Sequence, residues 1–239
     1  MSQHRNGLMR AVAVAAAAAL SATACVIGSG GSGGPVVHEH RSVERGAATA
    51  ARVEINMTAG ELSVESGAKS LFAGDFDFNV PELKPAVDYS VNGTMGTLKV
   101  SQSSASGNYE NAWRLSLDET TPVDLHINLG AGDANLVLGR LNLEKVEVNL
   151  GAGDQVVDLR GMPAKSYSIT VKAGAGDTTI RLPATVGISA RTSGIIGDTN
   201  VSGLEKRDGR WINPRADTSP VTVDLQVHHA IGDLRLLAE

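Results

Sequence analysis

Apolar and polar residues alternate in short segments of this chain, and the segments recur around a glycine that is followed by an acidic residue. The acidic residues at these points are Glu61, Asp133, Asp154, Asp177, Asp198 and Asp233. The consecutive spacings from Asp133 to Asp198 are 21, 23 and 21 residues. Apolar residues stand eight, six and four positions before the acid and, in the regular units, three and five positions after it. Because apolar residues two apart mark a strand with one buried face, each unit is predicted to be a strand, a corner and a second strand.

The apolar positions form columns from one unit to the next. Before the acid the columns contain Val53, Ile55 and Met57; Leu125, Ile127 and Leu129; Val146, Val148 and Leu150; Ile169, Val171 and Ala173; and Leu225, Val227 and His229. After the acid they contain Leu136 and Leu138; Val157 and Leu159; and Ile180 and Leu182. With only two Trp, three Tyr and three Phe in the chain, the predicted core is narrow and aliphatic.

The corners repeat one short sequence: NLGAGD at 128–133 and 149–154, and GAGD at 174–177. A tight corner needs a positive φ angle, which glycine adopts without steric cost, and an aspartate can bond nearby backbone amides. The predicted structural corners contain Gly130, Gly132, Asp133, Gly151, Gly153, Asp154, Gly174, Gly176, Asp177, Gly197, Asp198, Gly232 and Asp233.

Ligand-binding motifs compete with this structural interpretation. A P-loop would need a following Gly-Lys-Ser or Gly-Lys-Thr, which the chain lacks, and the G-x-G-x-x-G match at 28–33 is followed by Pro35 instead of a helix. Calcium β-rolls repeat about every nine residues. Calcium also prefers six to eight oxygen ligands, whereas each corner here offers one carboxylate. A weak cation ladder along the corner carboxylates stays open as an alternative.

Two architectures can use strand–corner–strand units: an antiparallel sandwich, if the corner reverses the chain, or a solenoid, if it only bends the chain. GAGD is not a favoured hairpin turn, and a constant period suits a stack of coils. We therefore predict an all-β fold over residues 51–239, a β-solenoid of single-stranded, β-helix-like coils of 21–23 residues. Residues 72–102 interrupt the repeat and predict an N-terminal hairpin or meander around Asn92-Gly93. The unit at Asp233 is expected to close the stack.

The N-terminus has the layout of an export signal. Arg5 and Arg10 precede the apolar run at 11–20, which is too short to span a bilayer comfortably. Residues 22–25, Ala-Thr-Ala-Cys, resemble a bacterial lipobox, which predicts a signal peptide at 1–24 and lipidation of Cys25. Residues 25–50, rich in Gly and Ser at first, are expected to be a flexible tether. Ordinary secretion with Cys25 as a free thiol stays open.

The net charge of the chain limits the kinds of molecule that it is expected to bind. Removal of Arg5 and Arg10 with the signal peptide takes the formal net charge from −5 to −7. An acidic chain without a basic run is not expected to bind nucleic acid. The expected partners are a membrane, through the N-terminal lipid, and an unidentified envelope protein or glycan; no cofactor is expected.

Catalytic and metal chemistry find little support in the sequence. His38-Glu39-His40 lies in the predicted tether, where a metal site is disfavoured. In His228-His229, His229 occupies an apolar column and is predicted to be a core histidine. Asp154 and Asp177 on adjacent coils could approach a glycosidase spacing, so a polysaccharide-active enzyme remains an alternative. The sequence offers no base, nucleophile and pocket together, so we predict no catalytic residue and no metal site.

The least repetitive stretch, LEKRDGRWINPRADTSP at 204–220, is the candidate binding loop. It combines Trp211 with Arg207, Arg210 and Arg215, and Trp and Arg are enriched at the energetic centres of interfaces. The alternative interpretation is a solvated loop with Trp211 folded onto the last coils.

The series VDLHINLGAGDANLVLGRLNLEKVEVNLGAGDQVVDL, preceded by NAWRLSL, resembles the toast-rack domains of bacterial envelope proteins. These include LiaF-like cell-wall stress regulators and adhesin-like repeat proteins, and the resemblance covers roughly residues 50–239. It implies a non-enzymatic envelope protein, with no catalytic residue to carry over. We therefore expect an exported, lipid-anchored protein that presents a binding or scaffold surface; a polysaccharide-active enzyme and a passive spacer are the alternatives.

Overall fold

The structure is a computed structural model that describes residues 34–105, 107, 109–194 and 196–239, and the backbone of 22–27. Residues 1–21, which hold most of the predicted signal peptide, and the tether residues 28–33 lie outside this description. The strands are β1 Ala22–Ile27, β2 Val36–Val43, β3 Ala50–Ala59, β4 Glu61–Ser66, β5 Phe72–Phe78, β6 Ala86–Asn92, β7 Met95–Ser101, β8 Asn111–Leu117, β9 Val123–Ala131, β10 Ala134–Val137, β11 Leu143–Ala152, β12 Gln155–Asp158, β13 Tyr167–Ala175, β14 Thr178–Leu182, β15 Gly187–Ser193, β16 Thr199–Ser202, β17 Glu205–Arg207, β18 Arg210–Ile212, β19 Thr222–Ile231 and β20 Leu234–Ala238. A 3₁₀ turn covers Pro81–Leu83. Within these residues, no helix has the length and apolar character needed to span a bilayer.

The strands form two ten-stranded sheets. Sheet A has the order β1-β2-β5-β8-β4-β10-β12-β14-β20-β16, and sheet B has the order β17-β18-β15-β19-β13-β11-β9-β3-β7-β6. Each coil places its first strand in sheet B and its second in sheet A, and neighbouring coils pair in parallel. The predicted all-β solenoid is confirmed.

The predicted apolar columns form the core between the two sheets. Ile55, Ile127, Val148, Val171 and Val227 lie next to one another in sheet B and are at most 1% exposed. On sheet A, Leu136, Val157, Ile180 and Leu236 form the facing column and are fully buried. Burial of these side chains is the main contribution to the stability of the stack, since each contributes about 1.5–3 kcal/mol of transfer free energy.

Antiparallel strands complete both sheets at the N-terminal end of the stack. The β6–β7 hairpin turns at Gly93, with φ 61°, as the Asn92-Gly93 pair predicts. The sequence predicts a tether at residues 25–50, but β2 lies within that range and pairs with β5 on one side and with β1 on the other, so strands precede Ala51 in sheet A. The central residue of β2, Glu39, is only 5% exposed and is paired with Arg41 and, at 3.8 Å, with Lys84. A strand with buried charge lacks the apolar alternation by which the other strands are recognised.

The corners stack glycine on glycine. Gly153 has φ 125°, and a Cβ atom at this position would lie 2.1 Å from the carbonyl oxygen of Gly132 in the preceding coil. Gly132 and Gly176 are in the same situation, with φ 121° and equally close carbonyl neighbours. The glycine is therefore required twice, by the backbone angle and by the close approach of the next coil.

The coils do not follow one another in chain order. The C-terminal coil β19–β20 lies between β13–β14 and β15–β16, with β19 paired to both β13 and β15. The expectation that this unit closes the stack is therefore wrong, and β15–β16 is the outer coil. At the other end, the first coil β3–β4 likewise lies between β7–β8 and β9–β10. The first coil β3–β4 and the C-terminal coil β19–β20 therefore each have a neighbouring coil on both sides.

Candidate functional site

The corner aspartates form a ladder of hydrogen bonds to the backbone. The backbone amide of Asp154 donates to Asp133 Oδ1 at 3.1 Å, and that of Asp177 donates to Asp154 Oδ1 at 3.0 Å. Asp233 N donates to Asp177 Oδ1 at 3.0 Å, and Asp198 N donates to Asp233 Oδ1 at 3.2 Å. Each carboxylate therefore fixes the position of the next corner. We name this set, Asp133, Asp154, Asp177, Asp233 and Asp198, the aspartate column.

A second polar column lies five positions before the acid, on the outer face of sheet B. Asn128 Nδ2 donates to Asn56 Oδ1 and Asn149 Nδ2 donates to Asn128 Oδ1, both at 2.8 Å. Lys172 and His228 continue this column on the next coils, with Lys172 opposite Asn149 and His228 opposite Lys172 in the strand pairing. We name Asn56, Asn128 and Asn149 the asparagine column. Sequence reasoning missed it, although the Asn of the repeated NLGAGD was the signal that could have found it.

An open groove of 690 Å³ runs beside the asparagine column, across the coils. Its floor is formed by the outward glycines Gly130, Gly151 and Gly174, which have no side chain to fill it. A Cβ on Gly151 would lie 2.0 Å from the carbonyl oxygen of Gly130, so the floor cannot be filled without moving the coils. From the coil of Asn56 to that of Ser193 the column spans roughly 24 Å, at about 4.8 Å per strand. We name this cavity the amide groove.

The amide groove is free of acidic residues, since none of the described residues that line it is Asp or Glu. Lys172 lines it, and its Nζ donates to Glu147 Oε1 at 3.0 Å on the neighbouring coil. The hydrogen bond from Lys172 lowers the pKa of Glu147, and burial raises it less. His228 Nδ1 lies 2.7 Å from Ser193 Oγ at the far end. The groove is therefore neutral to weakly basic in a chain with net negative charge.

On the other side of the corner, sheet A carries a second groove of 700 Å³. Glu61, Asp133, Asp154 and Asp177 line it together with Arg235. The guanidinium of Arg235 lies 3.7 Å from Asp177 and 3.8 Å from Asp233, which neutralises part of the charge. We name this cavity the carboxylate groove.

The described residues contain no group of three or more His, Cys, Asp or Glu that could hold a metal ion. His38 and His40 lie on β2, where Nδ1 of each contacts a carboxylate of β5, Asp77 at 2.5 Å and Asp75 at 2.8 Å. Burial acts to raise the pKa of Asp77, but the hydrogen bonds from Arg114 and His38 outweigh it and lower the pKa. The HEH sequence thus contributes side-chain hydrogen bonds between strands of sheet A.

His229 is a core histidine, as predicted from its column. It is 1% exposed, and its Nε2 lies 3.0 Å from the carbonyl oxygen of Gly176. The tautomer with hydrogen on Nε2 satisfies that carbonyl, so this histidine has a structural role at the corner.

The candidate binding loop at 204–220 contains the β17–β18 hairpin, which pairs with β15. Trp211 packs against the core while partly buried, and Lys206 Nζ lies 5.4 Å from its ring centroid. Arg207 binds both carboxylate oxygens of Asp217, at 2.8 and 2.7 Å, and Arg210 pairs with Asp224 at 2.5 Å. Trp211 is therefore folded onto the last coils, as the alternative interpretation of this loop expects. Arg215 is exposed, and an interface through this loop stays a prediction.

Comparison with known proteins gives two overlapping family matches. A family model described as the N-terminal domain of toast_rack, DUF2154, matches residues 32–181. A second, described as cell wall-active antibiotics response LiaF, C-terminal, matches residues 131–236. No curated protein matches the chain.

Two solved structures are similar to different degrees. A proposed cell adhesion protein from Clostridium sporogenes has 24% identity and a TM-score of 0.81, over 84% of this chain and 99% of its own. A proposed adhesin from Bacteroides fragilis has 10% identity and a TM-score of 0.33, over 84% and 97%. The first likeness shows that the fold is shared.

Proposed function

Because the chain belongs to the toast-rack family, as the match over residues 32–181 shows, we propose that it is a lipid-anchored envelope protein that acts by binding. The amide groove is its proposed binding face, and an extended, hydroxyl-rich glycan of the envelope is the proposed ligand. The observation that carries this proposal is a groove lined by a column of amide side chains and free of carboxylates.

The chemistry of the asparagine column supports a neutral polymer as ligand. A side-chain amide has two N–H donors and one carbonyl acceptor, and the ladder uses one donor of Asn128 and one donor of Asn149, whereas Asn56 only accepts. The second donor remains for another partner. Sugar hydroxyls both donate and accept, so they complement amides without the desolvation cost of an ion pair. The repeat of the coils would let one polymer contact several of them in turn.

The same geometry does not favour the polysaccharide-active alternative. Oδ1 of Asp133, Asp154 and Asp177 each accepts a backbone amide of the next corner. These carboxylates therefore already have a structural role. The similarity of residues 131–236 to the LiaF C-terminal model supports a link to envelope stress, and the name of the Clostridium protein supports adhesion. Both roles require a binding face.

Co-sedimentation with isolated cell-wall sacculi tests the binding face. We expect tagged Cys25→Ser protein to sediment with sacculi, and the added pair Asn128→Ala and Asn149→Ala to weaken this binding several-fold with nearly unchanged melting temperature. The matched control is Asn135→Ala, an outward residue of the carboxylate groove, which should bind normally. Equal loss in both variants would reject the amide groove. Release of soluble glycan fragments, abolished by Asp154→Asn, would support the enzyme alternative.

The anchor is tested separately at Cys25. Cys25 lies on β1 and pairs with His38 of β2, so a lipid on Cys25 would be attached at the edge of sheet A. The domain is thus proposed to lie close to the membrane. We expect Cys25→Ser to abolish lipidation and to move the protein from the membrane fraction to the soluble fraction. A wild-type protein that is already soluble and unlipidated would contradict the anchor.

A further inference from the structure

The C-terminal coil β19–β20 occupies a slot between two coils that precede it in the chain. In sheet B, β19 pairs with β13 on one side and β15 on the other; in sheet A, β20 pairs with β14 and β16. Residues 203–221 connect this coil to β16. All four strands that flank the slot therefore lie N-terminal to the connection and are synthesised before the C-terminal coil.

The two coils that flank the slot have the spacing of coils that stack directly on each other. Asp177 and Asp198 are 21 residues apart, the same spacing as Asp133 and Asp154. Asp198 N donates to the carboxylate of the inserted Asp233, as Asp233 N donates to that of Asp177. The same bond could therefore join Asp198 N directly to Asp177. We infer that β15–β16 can stack on β13–β14 before the C-terminal coil arrives.

In that arrangement the C-terminal coil has no partner. Its inward residues are Val223, Leu225, Val227, Leu234 and Leu236, each at most 1% exposed in the folded structure. Exposed strands of this kind have unpaired backbone groups and associate with any available sheet edge. To be paired on both edges, the coil must enter between β13–β14 and β15–β16, and these two coils of another copy offer the same strand pairs as its own.

We propose that the slot is a strand-acceptor site, and that its partner is the C-terminal coil of a second copy of this chain. The exchanged dimer repeats every strand pair of β19 and β20 that one copy forms alone, so only the connection changes. Fully extended, the 19 residues 203–221 reach roughly 60 Å, at about 3.3 Å per residue. To extend it, the β17–β18 hairpin must leave β15 and Arg210 must release Asp224. Asn213 must also release its hydrogen bonds to the amide of Ile188 and the carbonyl of Val186. The inserted coil in return regains every strand pair of β19 and β20.

Cysteine cross-linking between two full-length copies tests the exchange. Thr179 of β14 and Arg235 of β20 are direct partners on the outer face of sheet A. Adjacent strands bring Cα atoms within about 5 Å, which permits a disulfide. One copy carries Thr179→Cys, the other carries Arg235→Cys, and both carry Cys25→Ser. The copies are unfolded together, refolded as a concentrated mixture and oxidised.

The matched control replaces Thr179→Cys by Asn135→Cys in the first copy. Asn135 lies in the same row of sheet A but three strands from Arg235, roughly 14 Å away. We expect disulfide-linked dimers of the 179–235 pair several-fold in excess of the 135–235 pair, and native dimers on size-exclusion chromatography. Equal yields of the two pairs would show random collision, and monomers alone would show that each coil inserts only into its own slot. Either result would overturn the proposal. The double variant Thr179→Cys/Arg235→Cys in one chain confirms that the fold accepts this disulfide.

Discussion

The aspartate column and the asparagine column flank the same corner at the same spacing, yet they are satisfied in different ways. Asp154 Oδ1 accepts a backbone amide of the next coil, whereas Asn149 donates to the side chain of Asn128. A bond to the backbone fixes the fold of the coil that follows. A bond between two exposed side chains fixes only those side chains. The aspartates are therefore structural, and the asparagines are available for a ligand.

The difference also explains the two grooves. The carboxylate groove is lined by acidic side chains, but Asp133, Asp154 and Asp177 already accept hydrogen bonds, and Arg235 lies near Asp177 and Asp233. The amide groove has a floor of glycine and a wall whose amides keep unused donors. Repetition occurs both for the structural aspartates and for the asparagines that are proposed to bind a ligand. The hydrogen-bond partner of a repeated residue therefore distinguishes the two roles, and repetition alone does not.

The largest effect on stability is expected from a substitution at the corner itself, because the corner backbone positions both the aspartate column and the asparagine column. Gly153→Ala places a Cβ within 2.1 Å of the Gly132 carbonyl oxygen at a φ of 125°, so both coils must shift. We expect loss of cooperative thermal unfolding, measured by circular dichroism. Gly93→Ala is the matched control, since Gly93 has φ 61° and open space around its Cα; this backbone strain alone costs about 1–2 kcal/mol. Equal stability of the two variants would show that the coils are not closely stacked at the corner.

The next effect separates the inward and outward faces that define the columns. Leu150 is buried between two similar coils, so Leu150→Asp buries an unpaired charge and costs several kcal/mol. Asn149→Asp introduces the same residue one position away, on the outer face next to Lys172, and is expected to cost less than about 1 kcal/mol. Chemical denaturation measures both. Similar free energies of unfolding for the two variants would contradict the register of β11.

Sequence periodicity predicted the columns and the corners because each depends on residues within one unit. Apolar alternation places Val148 and Leu150 inward, and glycine places the bend, whatever coil lies next to them. The order of the coils depends on which units pair, and the 21-residue spacing from Asp177 to Asp198 fits direct stacking as well as the insertion that is observed. Periodicity within a unit therefore cannot determine the order.

Two further features, the β7–β8 coil and the amide groove, could not be predicted from the sequence. Strands β7 and β8 form a coil beside β3–β4, but the sequence between Ser101 and Asn111 has no glycine–acid corner, so the repeat is not visible there. The amide groove depends on Asn56, Asn128 and Asn149 lying side by side. An outward asparagine in a single strand looks like any solvated polar residue, and only the stacking gives the column.

Replacement by alanine should lower the stability of the fold more in the aspartate column than in the asparagine column. Asp154→Ala leaves the backbone amide of Asp177 without its acceptor, and we expect a loss of about 0.5–2 kcal/mol, by analogy with other side-chain caps. Asn149→Ala removes one exposed side-chain bond, and surface changes of this kind stay within about 0.5 kcal/mol. Urea denaturation of both variants measures the difference. An asparagine variant as unstable as the aspartate variant would mean that both columns are structural and would remove the basis for the amide groove.

The smallest effect, none at all, is expected from calcium. The corner carboxylates stand one per coil, and the described residues contain no cluster of three ligands, whereas calcium prefers six to eight oxygens. One oxygen of each of Asp133, Asp154, Asp177 and Asp233 already accepts a backbone amide, and Arg235 lies near Asp177 and Asp233. We therefore expect the melting temperature in calcium to equal that in magnesium at the same ionic strength, by differential scanning calorimetry. A rise specific to calcium that Asp154→Asn removes would make the aspartate column a ligand site as well, and the contrast between the two columns would fail.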